Sequence, residues 1–188
     1  LNGEAVICEI MKEDGTMARR DDLDIFASKH NMKQVYISDL VEYRLSHEKL
    51  VEEISSTNSK FFSSNVIKKE FKDHLGNVHT AIIFGEIKQI SPIKFHTIGS
   101  DINLFLNNEK LNSMLKTINF LEAKGGILIF LSDEMRNKES QKDYGIGAQI
   151  LNCLNIKQIK LMTSGGKHSF VGLQGFGLEI VEEIQIEC

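Results

Sequence analysis

The sequence has a single proline, Pro92, and only three cysteines, Cys8, Cys153 and Cys188, among its 188 residues. The thiols lie 145 and 35 residues apart with no C-x-x-C pair, so they make neither a secreted disulfide framework nor a local zinc knuckle. An excess of basic charge is also missing: 22 Lys+Arg stand against 26 Asp+Glu, for a net charge of −4 and an isoelectric point near 5.9. That removes the electrostatic footprint of a nucleic-acid or anionic-membrane surface. No apolar run approaches the roughly 20 residues that cross a bilayer, and the amino terminus lacks the basic-then-apolar layout of a secretion signal. The expectation is a cytoplasmic protein with no nucleic-acid or membrane partner. The chain opens on Leu1 and is apolar by Ala5, which reads as a piece of a longer polypeptide.

What is present is ordinary globular material, 41% hydrophobic and 26% charged, long enough for one domain or one domain plus part of another. Residues 5–11 are apolar and β-prone, a buried strand interrupted by Glu9. Asp14-Gly15 makes a turn, Asp21 and Asp24 open a helix running to about Asn31, Gln34–Ile37 is a short strand, and Ser38 caps a second helix through Arg44. The polar stretch Ser55-Ser56-Thr57-Asn58-Ser59 reads as a linker or wide loop, with a domain boundary near residues 45–60. Beyond it, Asn65–Lys72 and Val78–Ile87 form a hairpin whose Gly76-Asn77 suits positive φ, and Ile93–Phe95 is a short strand. Leu111, Met114, Leu115, Ile118 and Leu121 make one helical stripe closed by Gly125-Gly126. Ile127–Leu131 is then a strand buried on both faces. Ser132–Lys142 is charged and loop-like, Tyr144–Leu154 a helix, Gln158–Met162 a buried strand and Leu178–Ile186 a closing strand. Helix and strand alternating after a hairpin predict a mixed α/β or α+β fold.

Glu9, between Cys8 and Ile10, either faces water from a strand edge or needs a cation, a metal or hydrogen bonds to stay charged. The histidines, at 30, 47, 74, 79, 96 and 168, form no H-x-x-x-H pair, so a locally built zinc site is not expected. Thr163-Ser164-Gly165-Gly166-Lys167-His168 follows a buried strand, where backbone amides and a lysine suit an anion, although no Walker loop is present. The glycines of Tyr144-Gly145-Ile146-Gly147-Ala148-Gln149 suit either a nucleotide or close helix packing.

Two segments are more specific. Glu4 through Arg19, with the run Ala5-Val6-Ile7-Cys8-Glu9-Ile10-Met11 and Asp14-Gly15-Thr16-Met17-Ala18-Arg19, continued by Ile37-Ser38-Asp39-Leu40-Val41-Glu42-Tyr43-Arg44, resembles the carboxy-terminal end of 3,4-dihydroxy-2-butanone 4-phosphate synthases. Asp143-Tyr144-Gly145-Ile146-Gly147-Ala148-Gln149-Ile150-Leu151, with Lys160-Leu161-Met162-Thr163 and Gly177-Leu178-Glu179-Ile180, resembles the carboxy-terminal part of GTP cyclohydrolase II. Those families occur fused in this order in bifunctional riboflavin-biosynthesis proteins. The resemblance implies a synthase tail over residues 1–45 and, over 46–188, a cyclohydrolase-II-like mixed sheet with flanking helices. It gives Glu9 the role of the synthase's active-site glutamate, working on ribulose 5-phosphate beside magnesium or manganese, with the metal-binding Glu and His lying upstream of Leu1.

The cyclohydrolase family carries E-C-L-T-G-D and then C-x-C, three thiolates holding a water-activating zinc. The equivalent stretch here reads Phe95-His96-Thr97-Ile98-Gly99-Ser100-Asp101-Ile102, and Ser140 and Lys142 stand at the family's Asp and Arg positions. No zinc is expected in this chain. Thr163 and Lys167 match what remains of the nucleotide-binding wall. The resemblance thus implies a homodimeric synthase of sugar-phosphate substrate with a catalytically degenerate cyclohydrolase-like domain, structural or regulatory in role. Residual GTP cyclohydrolase II activity and a non-catalytic sensor of a GTP-like ligand are the alternatives.

Overall fold

The computed structural model describes residues 7–36, 39–40, 43–44, 47–132, 140–164 and 178–186. The chain divides into two units, Leu1–Leu40 and Val41–Cys188.

In the first unit, Gly15 at φ 82° lets the chain reverse so that Met11 pairs with Met17. Asp14 accepts hydrogen bonds from the Thr16 hydroxyl (2.6 Å) and backbone N–H (2.9 Å), which hold its carboxyl below the usual range. Helix α1 spans Arg20–Lys29, and the residue that accepts from its cap, the Arg19 N–H, is Asp22 at 2.9 Å, where the sequence pointed to Asp21 and Asp24. Tyr36 donates to Asp24 at 3.1 Å and lies under the Arg20 guanidinium. Two expectations fail here. The described part of 34–37 is irregular rather than strand, and residues 7–9 are irregular and exposed, with Ile7 94% accessible. Apolar, β-prone composition buries a strand only where neighbouring strands exist to pair with it. The unit's described residues supply just the one bridge at Met11, and α1 has no buried residue.

The second unit is a seven-stranded sheet. Its strands are β1 (Val51–Phe61), β2 (Ser64–Asp73), β3 (Val78–Phe84), β4 (Ile90–Thr97), β5 (Gly126–Leu131), β6 (Gln158–Thr163) and β7 (Glu179–Gln185), in spatial order β1-β2-β3-β5-β4-β6-β7. The first three form an antiparallel meander, β3 lies antiparallel to β5, and β4 to β7 run parallel. The mixed α/β fold is as the alternation indicated. The predicted linker over 55–59 is instead the middle of β1, paired residue by residue with β2. At a sheet edge one neighbour satisfies the ladder while side chains stand in water, so a Ser/Thr/Asn run suits a strand there as well as a loop.

Between β4 and β5 lie helices α2 (Asp101–Phe105) and α3 (Asn108–Lys124), and between β5 and β6 lies α4 (Ser140–Cys153). Asn107 caps α3 through its side chain on the Lys110 N–H at 2.9 Å. The last part of the stretch expected to be a loop, Ser140 onward, is helical; 133–139 lie outside the described residues. The connection β4 to β5 steps one way along the sheet and β5 to β6 steps back. With parallel crossovers of one hand, that reversal sets α3 and α4 on opposite faces. Two cores follow: Ala148, Ile150 and Leu151 of α4 close over Ile93, Ile127, Ile129 and Leu161, and Ile118 and Leu121 of α3 close over Ile82, Phe84, Leu128 and Met162. Gly147 is a packing glycine, since a Cβ there would sit 2.5 Å from the Phe95 ring.

Candidate functional site

In open sheets with parallel strands, a crevice forms outside the carboxyl ends of adjacent strands whose outgoing connections leave to opposite faces. Here those strands are β4, ending at Thr97, and β5, ending at Leu131; the Ile98 N–H donates to the Leu131 carbonyl at 2.8 Å. Two residues of β4 share the α3 face beside this point, Lys94 opposite Leu128 and His96 opposite Phe130. His96 meets the Phe130 ring edge-on, with centroids 5.6 Å apart.

Lys94 is only 8% accessible. Its ammonium donates to the Ser164 hydroxyl, just past the end of β6, at 3.0 Å, and has no carboxylate partner among the described residues. Burial pushes its pKa down. Burial also depresses His96, with the nearby charges of Lys94 and Lys110 acting the same way. The fold therefore gathers three basic groups at one edge of the crevice, two of them largely dehydrated, with no fixed anion among the described residues to balance them. Such a cluster is stabilised by an anionic ligand that supplies the missing charge.

A second polar constellation stands beside it. The Asp73 carboxylate accepts from the Leu75 N–H, the Asn77 N–H and the Asn77 side-chain amide at 2.8–2.9 Å, and contacts His79 Nε2 at 3.3 Å. His79 Nδ1 accepts from the Ser132 N–H at 3.1 Å, fixing the first residue after β5. Burial raises the Asp73 pKa, but the hydrogen bonds, led by Asn77, outweigh it and leave a net lowering. Gly76 has the expected positive φ of 94°; Asn77 does not, and serves through hydrogen bonds instead.

Of the residues singled out from sequence, Thr163 is buried at the end of β6, its carbonyl accepting from the Ile186 N–H at 2.8 Å. Its neighbour Ser164 reaches Lys94, while Lys167 lies outside the described residues. Glu9 is exposed in the first unit and has no partner carboxylate or histidine that would complete a metal site among the described residues. Gln149 acts structurally: its amide donates to the Glu48 carbonyl and accepts from the Leu50 N–H, both at 2.8 Å, pinning the start of β1 to α4. Cys153 is half-buried with its sulfur against the Val51 carbonyl, and burial raises its pKa. Sequence reasoning missed Lys94. The signal was there, a lone charge in the apolar run Pro92-Ile93-Lys94-Phe95, the same pattern that drew attention to Glu9.

The family model of 3,4-dihydroxy-2-butanone 4-phosphate synthase matches residues 1–43, and that of GTP cyclohydrolase II matches 132–185. A 3,4-dihydroxy-2-butanone 4-phosphate synthase of Sulfurospirillum multivorans is 44% identical over 182 residues, 97% of this chain and 51% of that protein. The riboflavin biosynthesis protein RibBA of Aquifex aeolicus is 34% identical, over 97% of this chain and 53% of that one. Among solved structures, a two domain 3,4-dihydroxy-2-butanone 4-phosphate synthase from A. baumannii superposes with a TM-score of 0.71 at 30% identity, covering 94% of this chain and 52% of its own. The chain is thus similar to these proteins and spans about half the length of the relatives it matches.

Proposed function

We propose that this chain is the carboxy-terminal half of a two-part protein of riboflavin biosynthesis. Residues 1–45 complete a 3,4-dihydroxy-2-butanone 4-phosphate synthase domain, and 46–188 form a cyclohydrolase-II-like domain that has given up ring opening for a structural or regulatory role. One observation carries the reading. Synthase and cyclohydrolase matches fall on the chain in that order, yet the stretch leaving β4 at the crevice, Phe95–Ile102, holds no thiol, and no cysteine lies between Cys8 and Cys153. Attack of water on a guanine ring carbon calls for a metal-bound hydroxide, and the three-thiolate set that would hold the metal is missing from the sequence.

The state of the first unit supports the synthase part. Ile7, Ile25 and Val35 are 94%, 70% and 71% accessible, a concentration of apolar surface that suits cover by the remainder of a synthase domain. Glu9 then meets the sugar phosphate as a base beside the carbons that enolise. A divalent ion would supply polarisation of the substrate oxygens; among the described residues no group of three or more His, Cys, Asp or Glu side chains could hold one.

The test uses the protein with its upstream residues in place. Ribulose 5-phosphate yields formate and dihydroxybutanone phosphate, Glu9→Gln lowers that rate by about 10²–10⁴, and GTP yields no formate above buffer. Formate released from GTP and abolished by a chelator overturns the degenerate-domain reading; an unchanged rate in Glu9→Gln overturns the synthase assignment of Glu9.

Lys94 favours a second reading, a nucleotide sensor without turnover. A dehydrated ammonium beside Ser164, His96 and Lys110 suits a phosphate group of a GTP-like ligand. Thermal stabilisation by GTP that Lys94→Met removes is its signature.

A further inference from the structure

Strand β1 is the end of the sheet. Its inner edge is paired with β2 along its length, and among the described residues nothing pairs with its outer edge. Long open edges are usually blunted by charge, proline or a bulge, because free N–H and C=O groups recruit another strand. β1 has a bulge between Glu53 and Ser55, but the six residues Ile54–Ser59 carry no charge and no proline. Charge stands only at the two ends, Glu52 and Glu53 on one side and Lys60 on the other.

We propose that the outer edge of β1 pairs antiparallel with β1 of a second copy of this chain, about a two-fold axis at Thr57. The side chains and the backbone select that register. Lys69 lies opposite Ser56, and Glu53 bonds the Lys69 ammonium at 2.9 Å, so Glu53 shares the face of Ser56, Asn58 and Lys60 despite the bulge. Centred on Thr57, with Ile54 as the extra residue, Asn58 falls opposite Ser56, Ser59 opposite Ser55, and Lys60 opposite Glu53 of the other copy. Two complementary charge pairs result, and no like charges meet. Shifting the centre to Asn58 sets Lys60 against Ser56, and shifting it to Ser56 sets Lys60 against Val51, which forfeits both pairs. The two-residue turn Phe62-Ser63 makes Phe61 and Ser64 the closing pair of the hairpin. Alternation along the ladder then leaves the backbone groups of Ser56, Asn58 and Lys60 pointing outward, where the Thr57-centred register needs them. The pairing is independent of any reaction in the crevice, and it joins two sheets into one continuous sheet of twice the strand number.

The experiment measures the mass of the protein, with its upstream residues in place, by light scattering and sedimentation. The expected species has twice the mass of one polypeptide. Lys60→Glu and Glu53→Lys, each alone, bring like charges together at two places per dimer and weaken association roughly tenfold. Mixed, they restore it, because each variant supplies the charge that the other lacks; this also separates the interface from the loss of the Glu53–Lys69 contact. Thr57→Cys sets two thiols across a pair whose Cα atoms are about 4.5 Å apart, within disulfide reach. Mild oxidation then gives a covalent dimer above the background of the unsubstituted chain, and Ser63→Cys, at the hairpin turn, gives none. A monomer up to the solubility limit overturns the proposal. So does a dimer that ignores both charge variants and does not cross-link at Thr57, since it must use another surface. If either charge variant fails to fold, the Thr57→Cys arm decides alone.

Discussion

Lys94→Met makes the protein more stable and the candidate site non-functional. The lysine is 8% accessible, and its ammonium has one hydrogen bond, to the hydroxyl of the exposed Ser164, with no carboxylate partner among the described residues. Methionine keeps roughly the volume of the side chain and fits against Leu128 and Met162 in the α3 core, while Ser164 turns its hydroxyl to water at little cost. Removing an uncompensated buried charge in favour of an apolar side chain gains about 1–2 kcal/mol, toward the low end of what such replacements give because the ammonium retains a hydrogen bond. For a chain of this size that is a rise in Tm of about 2–8 °C, at about 2–4 °C per kcal/mol. The pH dependence identifies the cause. A folded-state pKa depressed by burial means that the native protein binds fewer protons than the unfolded chain, so wild-type stability rises as pH climbs through the depressed value toward the unfolded value of about 10.4. The variant lacks that rise. The gap is full at neutral pH and closes in alkali, a comparison that calorimetry on both proteins across pH makes directly. If Lys94→Met lowers Tm at neutral pH, the ammonium is compensated and the crevice is not short of an anion.

Two further perturbations test the packing and the turn. Gly147→Ala should destabilise by about 1 kcal/mol in chemical denaturation, because overpacking against the Phe95 ring, 2.5 Å from the new Cβ, outweighs the gain in helix propensity; a more stable variant refutes the close approach. Asp73→Asn turns an amide N–H toward the Asn77 amide and His79, and costs about 1–3 kcal/mol at pH 7. Since the Asp73 pKa is depressed in the fold, its contribution is full above about pH 3.9 and is lost as pH falls through the folded value. The difference between wild type and variant should therefore narrow in acid, and a constant difference down to pH 2 refutes the hydrogen-bonded carboxylate.

Legibility in the sequence followed local periodicity. The stripe from Leu111 to Leu121 marked α3 because a helix carries its own hydrogen bonds, and Ile127–Leu131 marked β5 because both of its faces are covered. Pattern gave out where the neighbours decide. The uncharged Ser/Thr/Asn run of β1 reads as a linker until β2 is seen to pair with it, and Cys8-Glu9-Ile10 reads as buried until the described residues of its unit are seen to offer it no sheet. The site was half legible: Thr163-Ser164 pointed to an anion, but its partner Lys94 lies 70 residues away in sequence, a contact that only the parallel pairing of β4 with β6 creates.

That pairing sets the order in which the chain can finish folding as it is made. β4 is synthesised before both of its neighbours, since β5 begins at Gly126 and β6 at Gln158. Until Leu131 has emerged, Ile93, fully buried in the finished sheet, has no strand on either side. The β1–β3 meander closes from local contacts, whereas β4 waits for loops of about 30 and 60 residues to close, which topology makes slow. A chain halted between β5 and β6 would present an apolar strand edge in the middle of its sheet, so premature termination there should produce aggregation rather than a smaller soluble protein.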